Sequence, residues 1–189
     1  MQLDKAIKTR KSVRRFSSTK KPDWRKIIRA IDFARFAPRA GNMFIIKFIL
    51  ILDKGKIKEL AQACQQNFVS EADYVVAAVS DDPKFSSFYK ERGEKYARQQ
   101  AGAAIENFLL SLNEFGLSTC WVGHFDDNAV KRILAIPDTA TVEALFPIGY
   151  ETKVEAQEKL KPDLENILYF NKWKNKKMEP QTRVSVEAV

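Results

Sequence analysis

Apolar residues along the chain fall into stretches of two different periods, and the alternation of those periods predicts its elements. Leu3 to Lys8 reads as a short helix that ends at the run Arg10-Lys11-Ser12-Val13-Arg14-Arg15-Phe16. Pro22-Asp23 opens a clearer helix, with Asp23 as N-cap and Ile27, Ile28, Ile31 and Ala34 as a stripe at helical spacing, which Pro38 to Asn42 interrupts. Phe44 to Leu52 is rich in Ile and Phe without a 3.6-residue period, the pattern of a strand buried on both faces. Helical spacing returns over Lys54 to Gln65, and Tyr74 to Ser80 is a second strand, stopped by Asp81-Asp82-Pro83.

Lys84 to Tyr96 mixes Phe85, Phe88, Tyr89 and Tyr96 with many charges, so its aromatics are not simply assigned to the core. It merges into the strongest helix, where Ala97, Ala101, Ala104, Ile105, Phe108, Leu109, Leu112 and Phe115 recur every three to four residues and Gly116 is the expected C-cap. Ser118 to Val122 then reads as a strand, Asp126 to Leu134 as a helix capped by Asp126 or Asp127, and Val142 to Tyr150 as another strand. Beyond Tyr150 the chain turns polar; Ile167 to Phe170 is a last candidate strand, and Lys172 to Lys177 leads into a tail that is either loose or bound to another subunit. Strands alternating with helices make the fold α/β or α+β with a mixed sheet.

At 189 residues the chain suits one domain, and 45% hydrophobic content excludes intrinsic disorder. Cys64 and Cys120 form no C-x-x-C pair, so neither a disulfide framework nor a cysteine zinc site can be written, and a reducing, cytoplasmic setting is expected. The longest apolar run, Met43 to Leu52, contains Lys47 and is about half of the roughly 20 residues a bilayer requires; the polar start Met1-Gln2-Leu3-Asp4-Lys5 does not suggest export. The net charge of +8 arises at one end: residues 1 to 30 carry eleven basic and two acidic side chains, residues 31 to 152 thirteen and sixteen. A nucleic-acid surface and a single anionic cofactor both explain that excess.

His124 is the only histidine, no nucleophile sits in a G-x-S-x-G context, and H-E-x-x-H, G-x-x-x-x-G-K-[ST] and G-x-G-x-x-G are all absent, so hydrolase, zinc-protease, P-loop and Rossmann chemistry lack a basis. Three segments remain. Arg10-Lys11-Ser12 with Arg14 offers forked and neutral donors for a phosphate, or is a solvated basic face. Ala37-Pro38-Arg39-Ala40-Gly41-Asn42 is a loop by composition. Gly116-Leu117-Ser118-Thr119-Cys120-Trp121-Val122-Gly123-His124-Phe125 joins a helix end to a strand, with a second Gly leaving backbone exposed.

In their order and spacing, and with Lys161-Pro162-Asp163-Leu164-Glu165 and Trp173 following, these segments resemble the flavin-dependent nitroreductase family from about Ala6 to Trp173. The resemblance implies an α+β fold with a mixed central sheet flanked by helices, spanning residues 1–177 as one domain with 178–189 as a loose or partner-bound tail, and an intertwined homodimer holding FMN at the subunit interface. It further implies that Arg10 and Ser12 hold the FMN phosphate or ribityl chain with Lys11 beside them, that Lys161 with Lys159 returns to the phosphate, and that Arg14 lies near the pyrimidine end, where its charge tunes the flavin. Asn42 would reach the flavin of the partner subunit, framed by Pro38, Arg39 and Ala40, while Val122, Gly123 and His124 line the other ring face. The implied activity passes a hydride from NADH or NADPH to a small oxidised acceptor, a nitroaromatic, quinone or flavin, with no metal, nucleic acid or membrane involved. A second enzymatic reading in the same fold is nicotinamide-independent chemistry, namely dehalogenation, dehydrogenation or flavin fragmentation; the remote one is a basic nucleic-acid-binding protein.

The chain also departs from the family. Many members follow the Asn with Gln-Pro-Trp, whereas Met43-Phe44-Ile45 stand here, and Arg39 replaces a small serine, so that it either favours an acidic substrate or faces the surface. Phe85, Phe88 and Tyr89 are the candidates for a substrate-covering lid, with core packing as the alternative.

Overall fold

The computed structural model describes residues 2–81, 83–152 and 161–178. The chain divides into two units, Met1–Val154 and Glu155–Val189.

The first unit is built on a sheet of β1 (Ile46–Ile51), β2 (Tyr74–Ser80), β3 (Ser118–Thr119) and β4 (Thr141–Gly149) in the order β1-β2-β4-β3, every ladder antiparallel. The sheet of named strands is thus antiparallel rather than mixed as expected; a parallel pairing occurs only as the isolated bridge of Ser12 to Thr119, outside those strands. Because side chains on a strand alternate between faces, β2 sends Val76 and Ala78 to one core and Val75, Ala77 and Val79 to another. The first core is closed by α2 (Trp24–Ala34), α5 (Pro83–Tyr89) and α6 (Gly93–Glu114), the second by α3 (Lys54–Cys64) and α7 (Asp127–Leu134). Helices thus cover both faces of the sheet, as expected of an α+β body.

Local chemistry sets the boundaries. The carboxylates of Asp23, Asp53 and Asp126 accept from the amides of Arg25, Lys56 and Ala129 and start α2, α3 and α7. At the end of α6, Gly116 takes φ +73°, its amide donates to Asn113 O at 3.0 Å, and Leu117 N donates to Leu112 O at 2.9 Å. That Schellman turn releases the chain into β3 and so aims Thr119 and Cys120.

Several expectations need correction. β1 is not buried on both faces: Lys47 is exposed and Phe48 to Leu50 are half-buried, because the strand lies at the edge of the sheet. On α2, Ile28 is 47% exposed, and the small Ala30 takes the inner position beside Ile27 and Ala34. The strand expected over Ser118 to Val122 keeps only its first two residues in the ladder; pairing resumes where Val122 and Leu145 exchange both backbone bonds at 2.9 Å. In the second unit, Ile167 to Phe170 is not a strand, since Leu164–Ile167 forms one helical turn (α8) and no described strand offers the segment a partner. Of the expected tail, only Met178 is among the described residues.

Candidate functional site

The basic segment is stitched along the open end of the sheet. Val13 N donates to Thr119 O at 2.9 Å, Ser17 N to Tyr150 O at 2.7 Å and Thr152 N to Arg15 O at 3.3 Å, while Val13 and Phe16 turn inward. Phe16 lies against Gly149, where an added Cβ would fall 2.8 Å from its ring, so that residue's lack of a side chain is what admits the segment. Arg10, Lys11, Ser12 and Arg14 are left on the outer side.

The first two of these have carboxylate partners. Arg10 lies 3.6 Å from Glu106 of α6, and Lys11 is 2.7 Å from Glu151 just after β4. The buried Cys120 thiol donates to Trp121 O at 3.7 Å; burial pushes its pKa up, and the positive charge of Arg14 and the polar groups of Ser12 and Arg14 oppose the rise. Beneath the segment is a small cavity of about 50 Å³ lined by Arg10, Lys11, Asn113 and Thr119. The Thr119 residue is 6% exposed, and its Oγ1 is buried without a hydrogen-bond partner. Two forked or extended cations and a serine hydroxyl on one segment, with the unsatisfied Thr119 hydroxyl on the strand bridged to it, form a donor set that fits an anionic phosphate ester on a polar chain.

The second predicted segment is a tight turn over Ala40–Asn42, closed by Met43 N donating to Ala40 O at 3.1 Å. Gly41 and Asn42 are both left-handed, at φ +56° and +58°. Pro38, Arg39 and Asn42 are exposed and Ala40 is half-buried. The aromatic segment meets this turn: the Tyr89 hydroxyl sits where a Cβ on Gly41 would be. Tyr89 also packs against Phe85 and Phe88, each with ring centroids 4.9 Å apart, and against Tyr96 at 5.2 Å. Phe85 is 1% exposed and belongs to the core, whereas Phe88 is 71% exposed. The lid candidates therefore divide, with Phe85 structural, Tyr89 against the Gly41-Asn42 turn and the exposed Phe88 packed on Tyr89.

In the third segment Val122 is buried in its bridge to Leu145, and Gly123 and His124 are exposed, with His124 O accepting from Gln66 Nε2 at 3.5 Å. Trp121 is partly exposed and meets the buried Phe146 edge to face, centroids 5.6 Å apart. Lys161 is an exposed residue of the second unit, and Lys159 lies outside the described residues. Among the described residues no group of three or more His, Cys, Asp or Glu is arranged around a metal-sized site, and no helix is long and apolar enough to cross a membrane.

Sequence reasoning missed the partners rather than the segments. Glu106 and Glu151 carried no signal in one dimension, since α6 and the end of β4 are far from residues 10 and 11 in the chain. Gln100 did carry one: it is a lone polar residue in phase with Ala104, Phe108 and Leu112 on the buried stripe of α6.

Comparison with known proteins bears on the family and the fold. The model of the nitroreductase family matches residues 7–72 and 58–150. A protein of Archaeoglobus fulgidus, provisionally named NADH dehydrogenase/NAD(P)H nitroreductase, is 28% identical over 179 residues, covering 89% of this chain and 97% of its own. The iodotyrosine deiodinase of Thermotoga neapolitana is 24% identical over 159 residues, covering 76% and 85%. Among solved structures, the NADPH:FMN oxidoreductase of Vibrio harveyi complexed with NAD+ superposes with a TM-score of 0.77 at 18% identity, over 92% of this chain and 78% of that one.

Proposed function

Since the chain belongs to the nitroreductase family, we propose that it is an FMN-dependent oxidoreductase using NADH or NADPH. When bound, FMN would supply hydride transfer from the nicotinamide donor to an oxidised acceptor, a nitroaromatic, quinone or flavin, in two alternating half-reactions. The observation that carries the reading is the donor set formed by Arg10, Lys11 and Ser12 with the unsatisfied hydroxyl of Thr119 on the neighbouring β3, of which Arg10, Lys11 and Thr119 line a small polar cavity.

The residues divide the work. Arg10 and Lys11 would hold the phosphate and Ser12 the ribityl chain. Arg14 fixes a positive charge where the reduced cofactor gains negative charge, which favours the reduced state. Asn42, framed by Pro38, Arg39 and Ala40, orients the ring system from a second subunit, and Val122, Gly123 and His124 bound its other face. Phe88 and Tyr89 exclude water from the acceptor side. No nucleophile is required, because the chemistry rests on orienting donor and acceptor at a cofactor.

A homodimer fits the surface of the first unit: Leu3, Phe33, Phe36 and Leu110 line an apolar groove of about 470 Å³, and Leu3 and Phe36 are among its most exposed large apolar residues. A second copy is the occupant this reading assigns to it. Static light scattering on wild type and Phe36→Glu tests the assignment, a dimer that dissociates in the variant being the expected result.

The likeness to the deiodinase favours one other reading, dehalogenation in which a reductant other than NADH or NADPH supplies the flavin with the two electrons that replace carbon–halogen by carbon–hydrogen and release halide. Anaerobic absorbance titration with NADH and then NADPH separates the two. Bleaching of the flavin band by either donor is expected; bound FMN that resists both transfers the assignment to the nicotinamide-independent branch, and a protein that cannot be loaded with FMN overturns the site.

A further inference from the structure

Gln100 is 3% exposed, in the middle of the apolar stripe by which α6 packs on the sheet. Both ends of its carboxamide are bonded: Oε1 accepts from Ile45 N at 2.8 Å and Nε2 donates to Met43 O at 3.0 Å. Both acceptor and donor belong to the chain immediately after Asn42, before β1 begins, so one side chain grips that strand entry as a neighbouring strand would. Asn42 needs such a grip. Gly and Asn are the residues that adopt the left-handed region most readily, so the pair Gly41-Asn42 at φ +56° and +58° has other conformations open to it and contacts on its flanks select this one. On the other flank the Tyr89 hydroxyl occupies the space over Gly41, and Asp81 N donates to Ile45 O at 3.1 Å.

From these contacts we propose that Gln100 is a positioning residue of the cofactor site, acting through Asn42: its amide sets the peptide planes at Met43 and Ile45 and thereby the direction in which the Asn42 side chain is presented. The inference rests on the reading that Asn42 touches FMN. The bland alternative is an amide that merely satisfies two buried backbone groups, and the two differ in how the residues couple.

The test is a double-mutant cycle on FMN binding, with the full-length protein stripped of flavin and titrated by fluorescence quenching. Gln100→Met keeps the length and helix preference of the side chain and removes both hydrogen bonds. We expect Gln100→Met and Asn42→Ala each to raise the FMN Kd about tenfold, the effect of losing a typical hydrogen bond, and the double variant to stay within about twofold of Asn42→Ala alone. Independent losses that multiply to about a hundredfold overturn the proposal, as does an unchanged Kd in Gln100→Met while Asn42→Ala weakens binding. An unchanged Kd in Asn42→Ala instead removes the reading beneath the inference, and the inference with it. Should Gln100→Met fail to fold, Gln100→Asn, which sets the carboxamide one methylene short, enters the same cycle. The melting temperature of the flavin-free protein falls under either reading; only the coupling in FMN affinity distinguishes them.

Discussion

The outward residues at 10–14 and the turn at 40–45 serve one proposed site by opposite means. Arg10 and Lys11 are charged and paired with partly exposed carboxylates, Glu106 and Glu151. Such pairs are weak, so their cations can exchange a carboxylate for a phosphate at little cost. The turn is held by neutral groups whose bonds lie inside the core, through Gln100 and Asp81 N, and is shaped before any ligand arrives. The contrast teaches that one region is set to exchange partners and the other to keep its geometry, and each can be disturbed separately.

Breaking the rigid side has the largest expected effect. Gly41→Val puts a β-branched residue at φ +56° into the Tyr89 hydroxyl, and stability should fall by about 3 kcal/mol in a denaturant melt, with FMN retention lost as well. On the exchangeable side, Arg10→Ala should weaken FMN by about 1.5 to 3 kcal/mol in a binding titration while leaving the melt of the flavin-free protein nearly unchanged; unaltered affinity removes Arg10 from the site. Arg14→Ala should lower the flavin midpoint potential by about 30 mV, equivalent to about 1.4 kcal/mol for a two-electron couple, and more than it weakens binding. The same variant also removes the charge that opposes the burial-driven rise at Cys120, so thiolate absorbance of that residue should appear at still higher pH. Smallest is Glu106→Gln, which frees Arg10 from its competitor and should tighten FMN by about 0.5 kcal/mol, an effect that added salt diminishes.

A further titration is independent of this contrast and calibrates it. Burial in the second core pushes the Cys64 thiol up to about 11 from an ordinary 9.0. A folded-state pKa above the unfolded one means that the stabilisation is complete below about pH 9 and is lost as pH rises toward about 11, and Cys64→Ala should flatten that part of the stability curve.

Elements whose period and caps are local were readable in one dimension. Asp23 and Asp126 cap the helices expected of them, and β2 has the predicted bounds, because a strand flanked on both sides needs only its own apolar run. β1 carries a similar run but lies at the edge, and a sequence does not say how many neighbours a strand will have. At the site, the motif segments were legible while their contacts were not. Arg10 meets Glu106, and Gln100 meets Met43 and Ile45, only after α6 docks across the sheet. Phe85 and Phe88, three residues apart on α5, end on opposite sides of the core boundary, a division that the irregular charge pattern around them concealed.

The position of Lys47 bears on the life of the protein before it is folded. Ile45 to Leu52 is otherwise a nearly unbroken series of aliphatic and aromatic residues, the composition that stacks into cross-β fibrils when an edge is left open. Lys47 is exposed on the outermost strand, where a charge must be desolvated before a second copy can add alongside. It is placed as a gatekeeper of that edge, and its neutralisation, by Lys47→Ile or by acylation of its amine, should shift newly made chains from refolding toward aggregation while leaving the finished sheet almost as stable as before.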